Sequence, residues 1–168
     1  FKTNLFPEGS NQPLDQRAIS STHQILLETP PDILALHLTK VDCDMCFPST
    51  CRQGIELLCE DDDKYIDPEL KEVFLSDMLE RCMCLKTFVV VTILTAMNLA
   101  DSANICSKWI HIAAQSKQRY ENTLAFFNIL SGLTSDKLIR WGDLWLHLKE
   151  VCIRCYIQSK IKHLRISK

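Results

Sequence analysis

The stretch Asn122-Thr-Leu-Ala-Phe-Phe-Asn-Ile-Leu-Ser-Gly-Leu-Thr-Ser-Asp-Lys-Leu-Ile-Arg140, closed by Trp145 and Leu148, decides the fold class. Asn122 starts a helix, and Gly132 supplies the left-handed conformation in which helices commonly end. A further helix is expected from about Ser135, burying Leu138, Trp141, Leu144 or Trp145, Leu148 and Cys152 before the chain turns basic.

Upstream of this stretch the chain keeps the same character. All six prolines lie at or before Pro68, and from Glu69 onward the glycines are Gly132 and Gly142. So little punctuation favours helices joined by short connections. Asp101-Ser102 is expected to cap a helix whose Ile105, Trp109, Ile112 and Ala113 share a face. Phe88-Val-Val-Val-Thr-Ile-Leu94 has strand propensity, but no second strand exists for it to pair with, so it is assigned to a helix. Helical periodicity also runs through Leu70, Val73, Phe74, Asp77 or Met78, and Cys82.

Thr29-Pro-Pro-Asp32 opens an earlier helix, with Thr29 as cap and prolines tolerated in the first turn. Ile33, Leu34, Leu38, Val41 and Met45 share its apolar face, and Pro48 ends it. Phe1 to Ser21 mixes Pro, Gly, Asn and Ser without period. Residues 1–28 are therefore expected to be a linker or N-terminal arm, and 29–168 an all-α domain built as an irregular multi-helix bundle.

The 168 residues are 46% hydrophobic and 24% charged, enough for a sizeable core. With 19 basic against 21 acidic side chains, the net charge of -2 gives no reason to expect nucleic acid or an anionic membrane as main partner. The acidic run Glu60-Asp61-Asp62-Asp63 and the basic tail of Lys160, Lys162, Arg165 and Lys168 read as solvated loop and terminus. Nine cysteines, odd in number and irregular in spacing, follow a start (Phe1 to Pro7) with no signal-peptide core. Reduced thiols in the cytoplasm are the expectation. No apolar run reaches bilayer length, Phe88 to Leu94 being far too short.

Site patterns are few. Asp61, Asp63, Glu69 and Glu72 fall at calcium-loop positions, yet Ile66 stands where the loop needs glycine and Pro68 interrupts it. Cys43, Cys46, Cys51 and Cys59, with Cys152 and Cys155, could gather zinc, but each CxxC lies within an amphipathic helix and no knuckle glycines accompany them. His23, His37, His111, His147 and His163 form no triad or HExxH motif, and no phosphate-binding glycine loop exists. No metal and no cofactor is expected.

Three blocks in order carry a family resemblance. Leu34-Ala-Leu-His-Leu38-Thr39-Lys-Val-Asp42 is similar to the opening helix of Ras-type guanine-nucleotide exchange factor (RasGEF) domains, with Cys46 where an aromatic is usual. Glu80-Arg81 followed by Phe88-Val89 and Ile93-Leu94 resembles the second, with Phe88 in place of Trp. Asn98-Leu99, Trp109-Ile110-His-Ile112-Ala113, Asn122, Ile129-Leu-Ser-Gly-Leu133, Arg140 and Trp145 follow the third at nearly the family spacing. Coverage runs from about Pro31 to Leu148.

The resemblance implies an all-helical domain that grips a Ras-superfamily small GTPase of Ras, Rap or Ral type, in the cytoplasm or recruited to membranes through that GTPase or other domains. It is not an enzyme in the sense of making bonds. Leu38, Leu79, Met83 and Cys84 become GTPase contacts by resemblance, with core or helix packing as the alternative for each. Asp42, Phe88, Asn122, Arg140 and Trp145 become scaffold residues. Departures are also visible: Cys82-Met83-Cys84 stands where an Asn is usually offered, Ser102 replaces an Arg, and Thr123-Leu124 follows Asn122 in place of Phe-Asn. Beyond the Trp145-to-Leu148 element, Lys149 to Lys168 are too few for the family's prying hairpin, so the domain is expected to be incomplete as given. A catalytically dead module binding scaffold proteins is the alternative function. An incomplete bundle would leave Trp141, Trp145, Cys152 and Tyr156 in want of neighbours. Self-association of the purified chain is the expected outcome in gel filtration, and a monodisperse monomer at high concentration would contradict it.

Overall fold

A computed structural model describes residues 14–46 and 68–149, and every regular element among them is helical. The order is Gln16–Glu28 (α1), Pro31–Cys46 (α2), Pro68–Leu94 (α3), Leu99–Gln118 (α4), Thr123–Leu133 (α5), Asp136–Ile139 (α6) and a last helix over 142–149 (α7). The expected all-α class is what forms. The stretch 47–67, with Cys51, Cys59, Asp61 and Asp63, lies outside the described residues, as does 150–168 with Cys152, Cys155 and the region in question for the hairpin.

Helix α4 is the centre of the bundle, packed by α1, α2, α3 and α5. Ile105, Trp109, Ile112 and Ala113 are buried as expected, and Ser102, Ala103, Cys106, Ser107 and Ser116 join them. The small residues let neighbouring helices approach, while each large apolar side chain taken from water contributes about 1.5–3 kcal/mol. Ser116 hides its hydroxyl by bonding the Ile112 carbonyl at 2.9 Å.

The β-branched run Phe88 to Leu94 forms the last two turns of α3, a 27-residue helix. Val89 and Ile93 are buried against α4 and α5. Helix propensity disfavours such residues by only about 0.7 kcal/mol each at most, less than their burial returns. Thr92 is buried too, its hydroxyl donating to Val89 O at 3.0 Å and accepting from Trp109 Nε1 at 2.9 Å.

Five local expectations change. Gly132 does not end α5 as a left-handed cap. It sits within the helix where α5 crosses α3, and an added Cβ would lie 2.9 Å from Lys86 O and 2.9 Å from Val89 Cβ. The glycine permits close approach. The α4 cap is Asn98 rather than Asp101-Ser102: Asn98 Oδ1 accepts from Asp101 N, and Asn98 Nδ2 donates to Asp101 Oδ2, both at 2.8 Å. The helix expected from Ser135 breaks at Arg140 and Trp141, because Leu138 O is taken by Trp141 N at 3.1 Å and by the Trp145 indole at 2.8 Å. Leu138, Leu144 and Leu148 are nevertheless all buried.

The fourth concerns the arm. Residues 16–28 form a helix that buries Ile19 and Leu26, started by Asp15, whose side chain accepts from Arg17 N at 2.9 Å. Thr29 accordingly closes α1, its N–H bonding Ile25 O at 3.0 Å, and the Pro30 carbonyl receives the first N–H groups of α2. Within α2 the apolar face is also narrower than expected: Ala35 and Asp42 are buried, Leu34, Leu38, Val41 and Met45 are half-buried, and Ile33 is exposed.

Gly132→Val should lower stability in urea unfolding by about 1–3 kcal/mol through overpacking at the α3–α5 crossing. Gly142→Ala, whose added methyl would meet nothing within 4 Å, is the control and should leave the midpoint unchanged or raised.

Candidate functional site

Two charges and an amide meet inside the bundle. Asp42 on α2 and Arg81 on α3 are both buried, and Arg81 Nε donates to Asp42 Oδ1 at 3.2 Å. Asp42 Oδ2 accepts from Asn122 Nδ2 at 2.8 Å, and the same amide reaches Thr39 Oγ1 at 3.3 Å. Asn122 Oδ1 meanwhile caps α5 by accepting from Ala125 N at 2.9 Å. Only this orientation of the amide works, since the flipped one would press oxygen against carboxylate. The scaffold expectation for Asp42 and Asn122 thus has a mechanism: together with Arg81 they join α2, α3 and the start of α5.

The other scaffold residues divide. Phe88 is half-buried and meets Trp109 edge-on, with centroids 5.9 Å apart at 88°. Trp145 is half-buried and pins Leu138 O. Arg140 is exposed and enters the fold through its backbone, closing α6 by bonding Asp136 O at 3.2 Å.

The four residues expected as GTPase contacts fall into two pairs. Leu38 and Cys84 line one apolar groove of about 470 Å³, walled by α1, α2, α3 and α4 and floored by Leu85, Phe88 and Trp109. Leu79 and Met83 face outward one turn apart on α3, 66% and 59% exposed. The core alternative for Leu79 is therefore overturned. Leu75 lies another turn back and is also exposed, so the three form an apolar ridge at four-residue spacing. Such a ridge gains nothing from solvent and is the kind of surface that partners cover.

Arg81 is a site residue that the sequence pattern does not single out, although Glu80-Arg81 stands in one of the matching blocks. An arginine at helical spacing from Met78, Leu85 and Phe88 points inward, and a buried guanidinium needs an acid. Among the described residues no group of His, Cys, Asp and Glu could hold a metal ion, and no helix is long and apolar enough to cross a membrane. Cys43 is exposed, Cys82 and Cys84 half-buried and Cys106 buried, all as reduced thiols.

Comparison with known proteins agrees with this architecture. The RasGEF domain matches residues 33–164, and the chain belongs to that family. Among curated proteins it is similar to SH2 domain-containing protein 3C of Mus musculus and of Homo sapiens, each 27% identical over 161 residues. Those alignments cover 89% of this chain but 18% of each relative, so the chain spans less than a fifth of their length. No solved structure matches.

Arg81→Ala should cost about 3–5 kcal/mol in urea unfolding, because it leaves the Asp42 carboxylate buried without its cation. Asn122→Ala should cost about 1–2 kcal/mol, since it removes both a helix cap and a hydrogen bond to that carboxylate. The two effects should be non-additive in a double-mutant cycle, since both variants act on Asp42.

Proposed function

We propose that this chain seats a small GTPase of Ras, Rap or Ral type against α2 and α3 and acts on it as a guanine-nucleotide exchange factor. The match to the RasGEF domain over residues 33–164 carries the reading, and the exposed ridge of Leu75, Leu79 and Met83 supports it. Exchange of this kind is differential binding. A factor that holds the nucleotide-free GTPase more tightly than the loaded one offsets the loss of bound GDP and speeds its release. No bond is made or broken, and no cofactor takes part. The proposed setting is the cytoplasm, with membrane recruitment through the GTPase or through other domains of a longer protein.

One observation favours a second reading, in which the domain docks a partner or a scaffold protein without stimulating exchange. At the stretch where the family offers an asparagine, this chain has Cys82-Met83-Cys84. Met83 is exposed there and brings a thioether to a surface where an amide would donate and accept. Removing a polar interaction from a desolvated interface costs about 1–3 kcal/mol, or one to two decades in affinity. Docking would survive that penalty more readily than a step that depends on outcompeting bound nucleotide.

Release of a fluorescent GDP analogue from Ras, Rap and Ral proteins should accelerate in the presence of this chain. Leu79→Asp and Met83→Asp should each weaken capture of the nucleotide-free GTPase by about tenfold or more, as a charge enters an apolar contact, with the unfolding midpoint unchanged. A stable complex in gel filtration without acceleration would establish the interaction module instead. Neither complex nor acceleration with any of the three would refute the exchange reading and restrict the second to a scaffold-protein partner.

A further inference from the structure

Helix α1 lies upstream of the matched residues 33–164, yet it forms one wall of the groove that holds Leu38 and Cys84, contributing Ala18, Thr22 and Ile25. Its apolar hold is slight for a 13-residue helix: Ile19 and Leu26 are its buried side chains. Helices this short are marginal in water unless something docks them.

What docks α1 is a pair of helix-end contacts running in opposite directions. His23 Nε2–H donates to the carbonyl of Thr92 at 2.8 Å and leans on Thr95 Oγ1 at 3.3 Å. Thr92 stands in the last turn of α3, where carbonyls have run out of intrahelical partners. In return Lys108 of α4 donates to the carbonyl of Leu27, in the last turn of α1, at 3.1 Å. A cation there also meets the negative end of the helix dipole. Partial burial at this spot lowers the Lys108 pKa from its ordinary value. The Thr92 hydroxyl completes the chain of contacts by accepting from Trp109, which floors the groove.

We infer that α1 is a releasable strap, latched through His23 and Lys108 onto the ends of its neighbours, and that its docking controls access to the groove containing Leu38 and Cys84. The inference concerns the regulation of the docking face proposed above and rests on that reading only for the identity of the partner affected. Polar contacts at helix ends can open without disturbing the core, whereas burial of several large apolar side chains could not. Released, α1 would uncover Leu38, Leu85 and Phe88 from the side it now walls.

Hydrogen exchange by mass spectrometry on the full chain tests the strap directly. In His23→Ala combined with Lys108→Met, amides of residues 18–28 should exchange about tenfold faster or more, with α3, α4 and α5 unchanged, and alkylation of Cys84 by iodoacetamide should speed up several-fold. Unaltered exchange in α1, or loss of protection in α1 and α4 together while α3 and α5 stay protected, would overturn the strap. If the variant shows general unfolding, the same comparison is made on wild type across low urea, where α1 should open before α4 and simultaneous opening counts against it. Capture of nucleotide-free GTPase is then measured on the variant. A change in affinity supports control of that face, while α1 release with no change confines the strap to the groove and overturns its regulatory part. Failure of the GTPase to bind wild type refutes the docking reading and leaves the exchange and alkylation results standing.

Discussion

The carboxylate of Asp42 is the constraint on which the arrangement of α2 depends. Each of its oxygens is taken by a different neighbour, Arg81 from α3 and Asn122 from the head of α5. Helix α2 fully buries one apolar side chain, Ala35, in its described length, with Leu34 and Leu38 half-buried against the core, so apolar packing sets its face without fixing a directional register. Hydrophobic contact is non-directional, whereas a guanidinium and an amide converging on one carboxylate fix three elements at once. Apolar residues of similar volume could match such a cluster in stability. What the cluster supplies here is a unique register for the helix that carries Leu38.

Other features follow from the need to bring Asn122 to Asp42. The connection from α4 to α5 is four residues, Arg119 to Asn122, and it turns through Glu121 at φ 54°, the left-handed region that non-glycine residues seldom adopt. The bond from Asn122 N to Ser116 O at 2.8 Å holds that turn shut. Helix α5 then crosses α3 so closely that only glycine fits at 132, which sets Ile129 and Leu133 against the Val89 and Ile93 turns. Strain at one residue is tolerated because the cluster on one side and the crossing on the other both over-determine its position.

These relations explain what the sequence disclosed and what it withheld. Helix existence is legible from period and from the scarcity of Pro and Gly, and the buried face of α4 reads correctly at Ile105, Trp109, Ile112 and Ala113 because apolar side chains at helical spacing permit one solution. The Phe88 to Leu94 run is settled by the absence of a strand to pair with, a global argument rather than a local one. Gly132 misleads because glycine serves left-handed caps and close crossings alike, and only the neighbour distinguishes them. Helix α1 escapes notice since Ser20-Ser21-Thr22 are weak helix formers; in the structure Ser20 and Thr22 bond back to Gln16 O and Ala18 O at 2.9 and 2.8 Å. Its latch joins residues 69 and 81 positions apart, which no window along the chain can see. Of the expected contact residues, Leu38 and Cys84 line one groove, a meeting that resemblance alone does not reveal, and a periodicity argument has no means of telling that Leu79 faces out, because leucine at helical spacing reads as core.

The split of those four residues into a walled pair and an outward pair bears on how such a face would work. Leu38 and Cys84 are held by helices fixed through Asp42 and Trp109, so their positions are set before any partner arrives, and binding there costs little in ordering. Leu79 and Met83 stand on long, exposed side chains that must lose rotamer freedom on contact. An exchange factor needs its strongest contacts to favour one state of the partner, which demands rigid and directional groups, whereas an adaptor needs only net attraction. On this chain the rigid part of the face is apolar and partly closed by α1, and the exposed part is apolar and adaptable. If this face receives the proposed GTPase, a preference between nucleotide-bound and nucleotide-free forms would be set by shape at the groove, because Met83 offers no amide to place.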